Sequence, residues 1–241
     1  MHLLALALLA FTAADPTPPP VRALVVTGGH DFDRPQFFAM FESMAGVTWK
    51  EATLPEANAL YTEEAARDYD VIVFYDMYQE IEEAQKQAFL NLVAEGGKGV
   101  VSLHHSLASH QKWPEFHKVI GGRFHFDEAE VDGVKRGKST FHIGQTLRVK
   151  ILDPEDPVTK GVKDFEVVDE SYAKFDVYPG VKPLLGVDHE NSGPVIGWSK
   201  MHGKARVVFI QLGHDAAAFS HESYRTLVRN AILWTANRPA K

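Results

Sequence analysis

Histidines at the ends of predicted strands are the side chains of this sequence best suited to chemistry. Each follows directly on a short apolar run of the kind that forms a buried β-strand. These residues are His30, the pair His104 and His105, and His214. Because open α/β sheets bind their ligands beyond the carboxyl ends of the strands, we expect these imidazoles to share one pocket. An imidazole titrates near neutral pH, so the pattern indicates acid/base chemistry.

A bound metal ion is the alternative chemistry for the same pocket. Imidazole nitrogen binds zinc, nickel, copper and iron, and His30, His104 and His214 are the candidate ligands. The carboxylates Asp31 and Asp215 directly follow two of these histidines, and we expect Asp215 to take part in catalysis and Asp31 to bind substrate. Two histidines with a carboxylate are a common catalytic arrangement that leaves one metal position open. The sequence leaves two possibilities: a divalent metal such as zinc, or acid/base catalysis without a cofactor.

Neighbouring residues complete the set of candidates. The side chains of His104 and His105 cannot point to the same side of an extended strand, so we expect only one of them to face the pocket. Glu170 is a candidate general base and Tyr172 a candidate partner for sugar hydroxyls, although a charged turn is an equal interpretation of this segment. Trp198 ends an apolar run, where it would stack on a sugar ring or belong to the core.

The elements that must position these residues alternate between strand and helix in the first half of the chain. Strands are predicted at 22–27, 47–52, 70–75 and 99–103, and helices at 35–44, 80–95 and 113–120. Such alternation predicts an α/β fold with a mostly parallel sheet and helices on both faces. Residues 123–200 predict a β-rich insertion, after which a buried strand at 205–212 and a helix at 221–236 close the chain.

Composition excludes several classes of protein. A length of 241 residues with 45% hydrophobic and 24% charged residues is typical of one globular α/β domain. The net charge of −7 is opposite in sign to that of most nucleic-acid-binding proteins. The sequence contains no cysteine, which excludes a cysteine nucleophile, an iron–sulfur cluster and any disulfide.

The first twenty residues predict export. Residues 1–14 form a short apolar run that ends in small residues, which is typical of a signal peptide. The run is too short to span a bilayer, so no stable membrane anchor is expected. Residues 15–20 predict a proline-rich linker, and residues 21–241 the folded domain. A buried N-terminal helix is the alternative, which the prolines disfavour. The expected location is secreted or periplasmic.

The motifs resemble those of the ThuA-like (trehalose utilisation) family. They are Thr-Gly-Gly-His30-Asp31, Ser-Leu-His104-His105-Ser, Asp-Glu170-Ser-Tyr172, Val-Ile-Gly-Trp198 and Leu-Gly-His214-Asp215. The resemblance implies a flavodoxin-like fold of the class I glutamine amidotransferase type. In such amidotransferases the turn after a central strand carries a catalytic cysteine, but here that turn holds His104 and His105. The resemblance therefore implies the fold and argues against amide transfer from glutamine.

The resemblance also implies glycoside or disaccharide catabolism through 3-keto sugars, with a small-molecule sugar as the partner. A ketone at C3 acidifies the C2 proton, which His214, His104 or Glu170 would remove while the C1 leaving group departs. A metal or the imidazolium of His30 would stabilise the resulting enediolate. Two alternatives remain open, a non-catalytic sugar-binding protein and a metal-dependent hydrolase of another small substrate. The oligomeric state is not predicted.

Overall fold

The computed structural model describes residues 18–131 and 133–238, so the predicted signal peptide lies outside the described residues. The strands are β1 Val21–Gly28, β2 Val47–Thr53, β3 Val71–Asp76, β4 Gly99–Leu103, β5 Gly122–Arg123, β6 Ala129–Val131, β7 Val134–Arg136, β8 Thr140–Ile151, β9 Phe165–Ala173, β10 Asp176–Val177, β11 Lys182–Val187, β12 Val195–His202 and β13 Ala205–Ile210. The helices are α1 Arg34–Glu42, α2 Glu83–Ala94, α3 Pro114–Ile120, α4 Ala216–Ser220 and α5 Glu222–Thr235. Short 3₁₀ segments cover Glu56–Tyr61, Ala65–Asp68 and His104–Ala108.

The large sheet in the described part of the chain has nine strands in the order β2-β1-β3-β4-β13-β12-β11-β8-β9. The five strands from β2 to β13 pair in parallel, and the remaining four are antiparallel. The α/β fold predicted from the sequence is thus confirmed. The β-rich region at 123–200 contributes four strands to this same sheet, and it also forms two small two-stranded sheets.

Side-chain alternation on the parallel strands explains why helices cover both faces. On β3, Val71, Val73 and Tyr75 enter one apolar layer, and Ile72 and Phe74 enter the other. Helices α1, α4 and α5 pack on the first layer, whereas α2 and α3 pack on the second. A parallel strand buried on both faces favours a nearly continuous run of apolar residues, and β3 and β4 are such runs with Asp76 and Ser102 as their polar members. Among the described helices, none is both long and apolar enough to cross a membrane.

Candidate functional site

The carboxyl ends of β1, β4 and β13 bring the strand-end histidines together. The ring centroids of His30 and His105 lie 4.5 Å apart, and those of His104 and His214 lie 5.3 Å apart. The rings of His30 and His214 are 6.3 Å apart. Glycine permits the first of these turns, because Gly29 has a φ of +77° and a Cβ there would lie 2.6 Å from the backbone of Met77.

His104 is the first residue of the 3₁₀ segment that directly follows β4, and it has a φ of 48°. A non-glycine residue in this left-handed region is strained, and such strain concentrates at functional sites. Its Nδ1 donates a hydrogen bond to the backbone carbonyl of Gln211. Nε2 then faces three side-chain atoms: Glu170 Oε2 at 3.0 Å, the Tyr172 hydroxyl at 3.0 Å and His214 Nδ1 at 3.2 Å.

Glu170 and His214 complete a triangle with His104, because Oε2 of Glu170 also lies 3.3 Å from Nδ1 of His214. Burial alone would raise the pKa of Glu170, but its hydrogen bonds to the two imidazoles outweigh burial and hold that pKa well below its usual range. The hydrogen bond to Glu170 in turn raises the pKa of His214. Glu170 is therefore an ionised carboxylate and a weak base. We call His104, Glu170 and His214 the central cluster.

Asp169 fixes the backbone around the cluster and does not join it. Its carboxylate accepts hydrogen bonds from the backbone nitrogens of Gly213 at 2.7 Å and His214 at 3.0 Å. The same carboxylate accepts a bond from the Glu170 nitrogen at 2.8 Å, so it braces both segments that supply cluster residues. Gly213 is required here, because it has a φ of 113° and a Cβ would lie 2.1 Å from the Tyr224 hydroxyl.

A cavity of about 530 Å³ opens above the cluster. Its floor includes Glu170, His214, Tyr172, His30 and His105. The facing wall is apolar and is formed by Met77, Phe124, Phe126, Phe141 and Ile143. The volume lies within the range of about 300–1,000 Å³ that is usual for small-molecule sites.

His105 lines this cavity, whereas His104 lies beneath it. The side chain of His105 is almost fully buried between the rings of His30 and Tyr75, at centroid distances of 4.5 and 4.4 Å. Burial lowers the pKa of His105 well below its usual value, so the ring is neutral. Neither ring nitrogen bonds to any of the described residues. Both nitrogens are also shielded from solvent.

The model of the family described as "Trehalose utilisation", ThuA, matches residues 22–235. This chain belongs to the ThuA family. The family assignment supports a carbohydrate-related function. A search of curated proteins gave no match.

Solved structures share the ThuA fold at low sequence identity. A ThuA-like protein from Parabacteroides merdae is 18% identical, with a TM-score of 0.77 and 92% of each chain covered. A ThuA-like protein from Bacteroides uniformis is 21% identical, with a TM-score of 0.69 and coverage of 94% of this chain and 95% of the other. A protein described as a GMP synthase component from Thermoplasma acidophilum is 12% identical, with a TM-score of 0.56 and coverage of 92% and 96%. The predicted ThuA-like, amidotransferase-type fold is confirmed.

Three residues proposed from the ThuA-like motifs lie away from the cavity floor. Trp198 is fully buried, packs on Phe209 and donates its indole N–H to the Ile120 carbonyl, because β12 is an interior strand of the sheet. Asp215 caps the start of α4 by accepting a bond from the Ala217 nitrogen. Asp31 lines a separate, more open cavity next to His30.

The structure also changes the set of metal-ligand candidates in this ThuA protein. Among the described residues, the ligand atoms that converge belong to His104, Glu170 and His214. Glu170 thus takes the place that the sequence suggested for His30, whose ring instead stacks on His105. Sequence reasoning also missed the apolar wall and the Gln211 carbonyl. The carbonyl carries no sequence signal, whereas the alternation of Phe141 and Ile143 on one strand was such a signal for the wall.

Proposed function

We propose that this ThuA protein is a carbohydrate-active enzyme that cleaves 3-keto-glycosides or closely related sugars in the cavity above the central cluster. The observation that carries the proposal is the convergence of His104, Glu170 and His214 on the floor of a ligand-sized cavity. Glutamine amide transfer is not proposed, because the full sequence has no cysteine.

The cavity has the two kinds of surface that a sugar needs. The faces of Phe124, Phe126 and Phe141 offer apolar surface for the C–H face of a pyranose ring. The exposed imidazole of His30 and the half-buried imidazole of His214 offer polar contacts to ring hydroxyls. Lys138 and Asp127 at the cavity edge add polar groups.

Exposure separates the roles within the cluster. The side chain of His104 is 0% exposed, that of Glu170 is 8% and that of His214 is 22%. His104 is too deeply buried to reach a substrate, and Glu170 is too weak a base. The raised pKa of His214 favours its positively charged form, which suits it to stabilise negative charge on the substrate.

His30 is then the base of the proposed reaction. Its imidazole accepts the C2 proton, which the neighbouring C3 ketone acidifies, and the electrons move to the C3 oxygen. That oxyanion lies against the positive charge of His214. The electrons then return to form a C1–C2 double bond while the C1–O bond breaks. The imidazolium of His30 returns its proton to the leaving oxygen. The products are an alcohol and an unsaturated 3-keto sugar.

Proton exchange provides the test. The purified protein is incubated with a panel of 3-keto-glycosides in D₂O, and NMR follows both C2–H exchange and release of the alcohol. We expect His30→Asn to abolish both processes, and His142→Asn to leave both unchanged. His142 is the matched control, since it lies between Phe141 and Ile143 on β8 and does not line the cavity. Absence of exchange and release in the unaltered protein would contradict the proposal.

Non-catalytic sugar binding in the same cavity is the second candidate, and the aromatic wall of Phe124, Phe126 and Phe141 is the observation that favours it. Calorimetry on the same panel separates the two functions. Binding without exchange or release would establish a sugar-binding protein instead of an enzyme.

We also propose that the protein acts outside the cytoplasm after removal of residues 1–14. The apolar run and the small residues before Asp15 support this location. N-terminal sequencing of protein recovered from the cell envelope tests it. A chain that begins at Asp15 is expected, and a chain that begins at Met1 would contradict it.

A further inference from the structure

We propose that the central cluster is a divalent transition-metal site with Nε2 of His104, a carboxylate oxygen of Glu170 and Nδ1 of His214 as its protein ligands. These three atoms lie within 4.8 Å of one another. Two imidazole nitrogens and one carboxylate are the donor set of many catalytic zinc and non-haem iron sites. The substrate contact described below rests on the proposed function, but the metal site itself does not.

The distances between the three atoms fit one face of a metal coordination tetrahedron. Nε2 of His104 is 3.0 Å from Oε2 of Glu170 and 3.2 Å from Nδ1 of His214, and the third edge is 3.3 Å. Zinc bonds of about 2.0–2.1 Å at tetrahedral angles place ligand atoms about 3.3 Å apart. A cation that contacts all three atoms therefore needs only a few tenths of an ångström of adjustment.

Hydrogen bonds behind the ligands hold them in the form that a metal requires. The Gln211 carbonyl can only accept, so Nδ1 of His104 carries the proton that it donates. In the neutral ring, Nε2 then presents its lone pair to the centre of the cluster. A metal-binding histidine commonly bonds to a backbone carbonyl through its second nitrogen, and such bonds fix the tautomer. Asp169 braces the backbone of the other two ligands from below.

The remaining coordination positions face the cavity, which Glu170 and His214 both line. On the proposed function, the C3 ketone oxygen and the C2 hydroxyl of a 3-keto sugar are adjacent oxygen donors that fill these positions. An ion there supplies a Lewis acid at the C3 oxygen, where negative charge develops. The ion takes the place of the proton on Nδ1 of His214 and supplies the charge stabilisation in its stead, and His30 remains free as the base.

Direct metal binding tests this site without any sugar. The protein is purified without a histidine tag, stripped with a chelator and titrated with Zn²⁺ and Co²⁺ by calorimetry. Elemental mass spectrometry gives the stoichiometry, and the visible spectrum of the Co²⁺ form reports coordination number. We expect one ion per chain and a Co²⁺ spectrum of four or five coordination.

Variants decide whether the ion binds at the cluster. We expect Glu170→Gln and His214→Asn each to weaken binding by at least about 100-fold, because each alters one of the three ligands. His125→Asn is the matched control, because His125 is a second buried histidine bonded to a carboxylate, Asp176, elsewhere in the chain. The affinity of the His125→Asn variant for Zn²⁺ and Co²⁺ should match that of the unaltered protein. Circular dichroism confirms that each variant is folded.

Two results would overturn the metal site. One is no binding of either ion at micromolar concentration; the other is an affinity that both cluster variants leave unchanged. Failure of the proposed function has a separate signature, since a protein that binds one ion at the cluster and cleaves no glycoside keeps the metal site. A protein that cleaves 3-keto-glycosides without binding metal keeps the function and removes the site.

Discussion

Two groups of buried histidines differ in what their ring nitrogens contact. In the central cluster, His104 and His214 bond to each other and share one carboxylate, Glu170. His117 in α3 and His110 just before that helix instead each contact a separate backbone carbonyl. His117 donates to the Ser109 carbonyl at 3.0 Å, while the ring of His110 packs 4.9 Å from that of Phe116.

The contrast in partners produces a contrast in charge. Burial lowers the pKa of His110 to about 4 and that of His117 to about 3, so both rings are neutral. Glu170 has the opposite effect on His214, whose pKa it raises. A histidine surrounded by apolar rings and backbone carbonyls stabilises the fold. Imidazoles that converge on a carboxylate concentrate charge where a substrate can use it.

The largest expected effect is on turnover. His104→Gln should reduce kcat/KM for a cleaved 3-keto-glycoside by about 10³-fold, because the cluster loses the imidazole that contacts both of its other members. His117→Gln should change kcat/KM by less than about threefold per folded molecule, since the ring lies outside the cavity. Steady-state kinetics on both purified variants makes the comparison. Equal losses in the two variants would remove the distinction between the groups.

The second effect is on the pH dependence of stability. The folded-state pKa of His117, about 3, lies below the ordinary value of 6.5, so its stabilising contribution is complete above pH 6.5 and is lost as pH falls towards 3. Between pH 7 and pH 5 this amounts to about 2 kcal/mol. Lowering the pH from 7 to 5 should therefore destabilise the unaltered protein by about 2 kcal/mol more than it destabilises His117→Gln.

The comparison with His117→Gln is needed because another buried group, Asp76, changes stability with pH in the opposite direction. Burial raises the pKa of Asp76 to about 7, so its contribution grows as pH falls. Urea unfolding at pH 7 and pH 5 for both proteins isolates His117. Identical pH dependence in the two proteins would show that His117 has an ordinary pKa in the fold.

The smallest effect concerns the apolar wall. Phe141 is 59% exposed, so Phe141→Ala should leave stability nearly unchanged and raise KM by about fivefold through the loss of sugar stacking. Val168→Ala on the neighbouring strand β9 is the control, because Val168 is 49% exposed and does not line the cavity. An unchanged KM in Phe141→Ala would exclude the wall from substrate binding.

The parallel half of the fold was predictable because its signals are local. Apolar runs such as 99–103 form strands buried on both faces, and a glycine or proline ends most of the helices between them. The placement of four histidines at strand ends follows from the same logic. Strand alternation also separates Asp169 from Glu170, but the sequence cannot show which of the two faces the cavity.

The antiparallel half of the sheet and the site residues that it supplies were less predictable, because they depend on pairing between distant segments. Glu170 on β9 contacts His104 after β4 although four strands separate β9 from β4 in the sheet order. Trp198 illustrates the same limit, since its burial depends on β12 being an interior strand. Contacts across 66 residues, such as that between His104 and Glu170, have no signature in a single sequence.

A double-mutant cycle tests most directly whether the central cluster is one reaction centre. We would measure kcat/KM for one cleaved 3-keto-glycoside with Glu170→Gln, His214→Asn and the double variant. If the three residues form one reaction centre, the double variant should be no slower than the slower single variant, because either change already disables the unit. If the two losses multiply, Glu170 and His214 act independently, and the single centre proposed for this protein is contradicted.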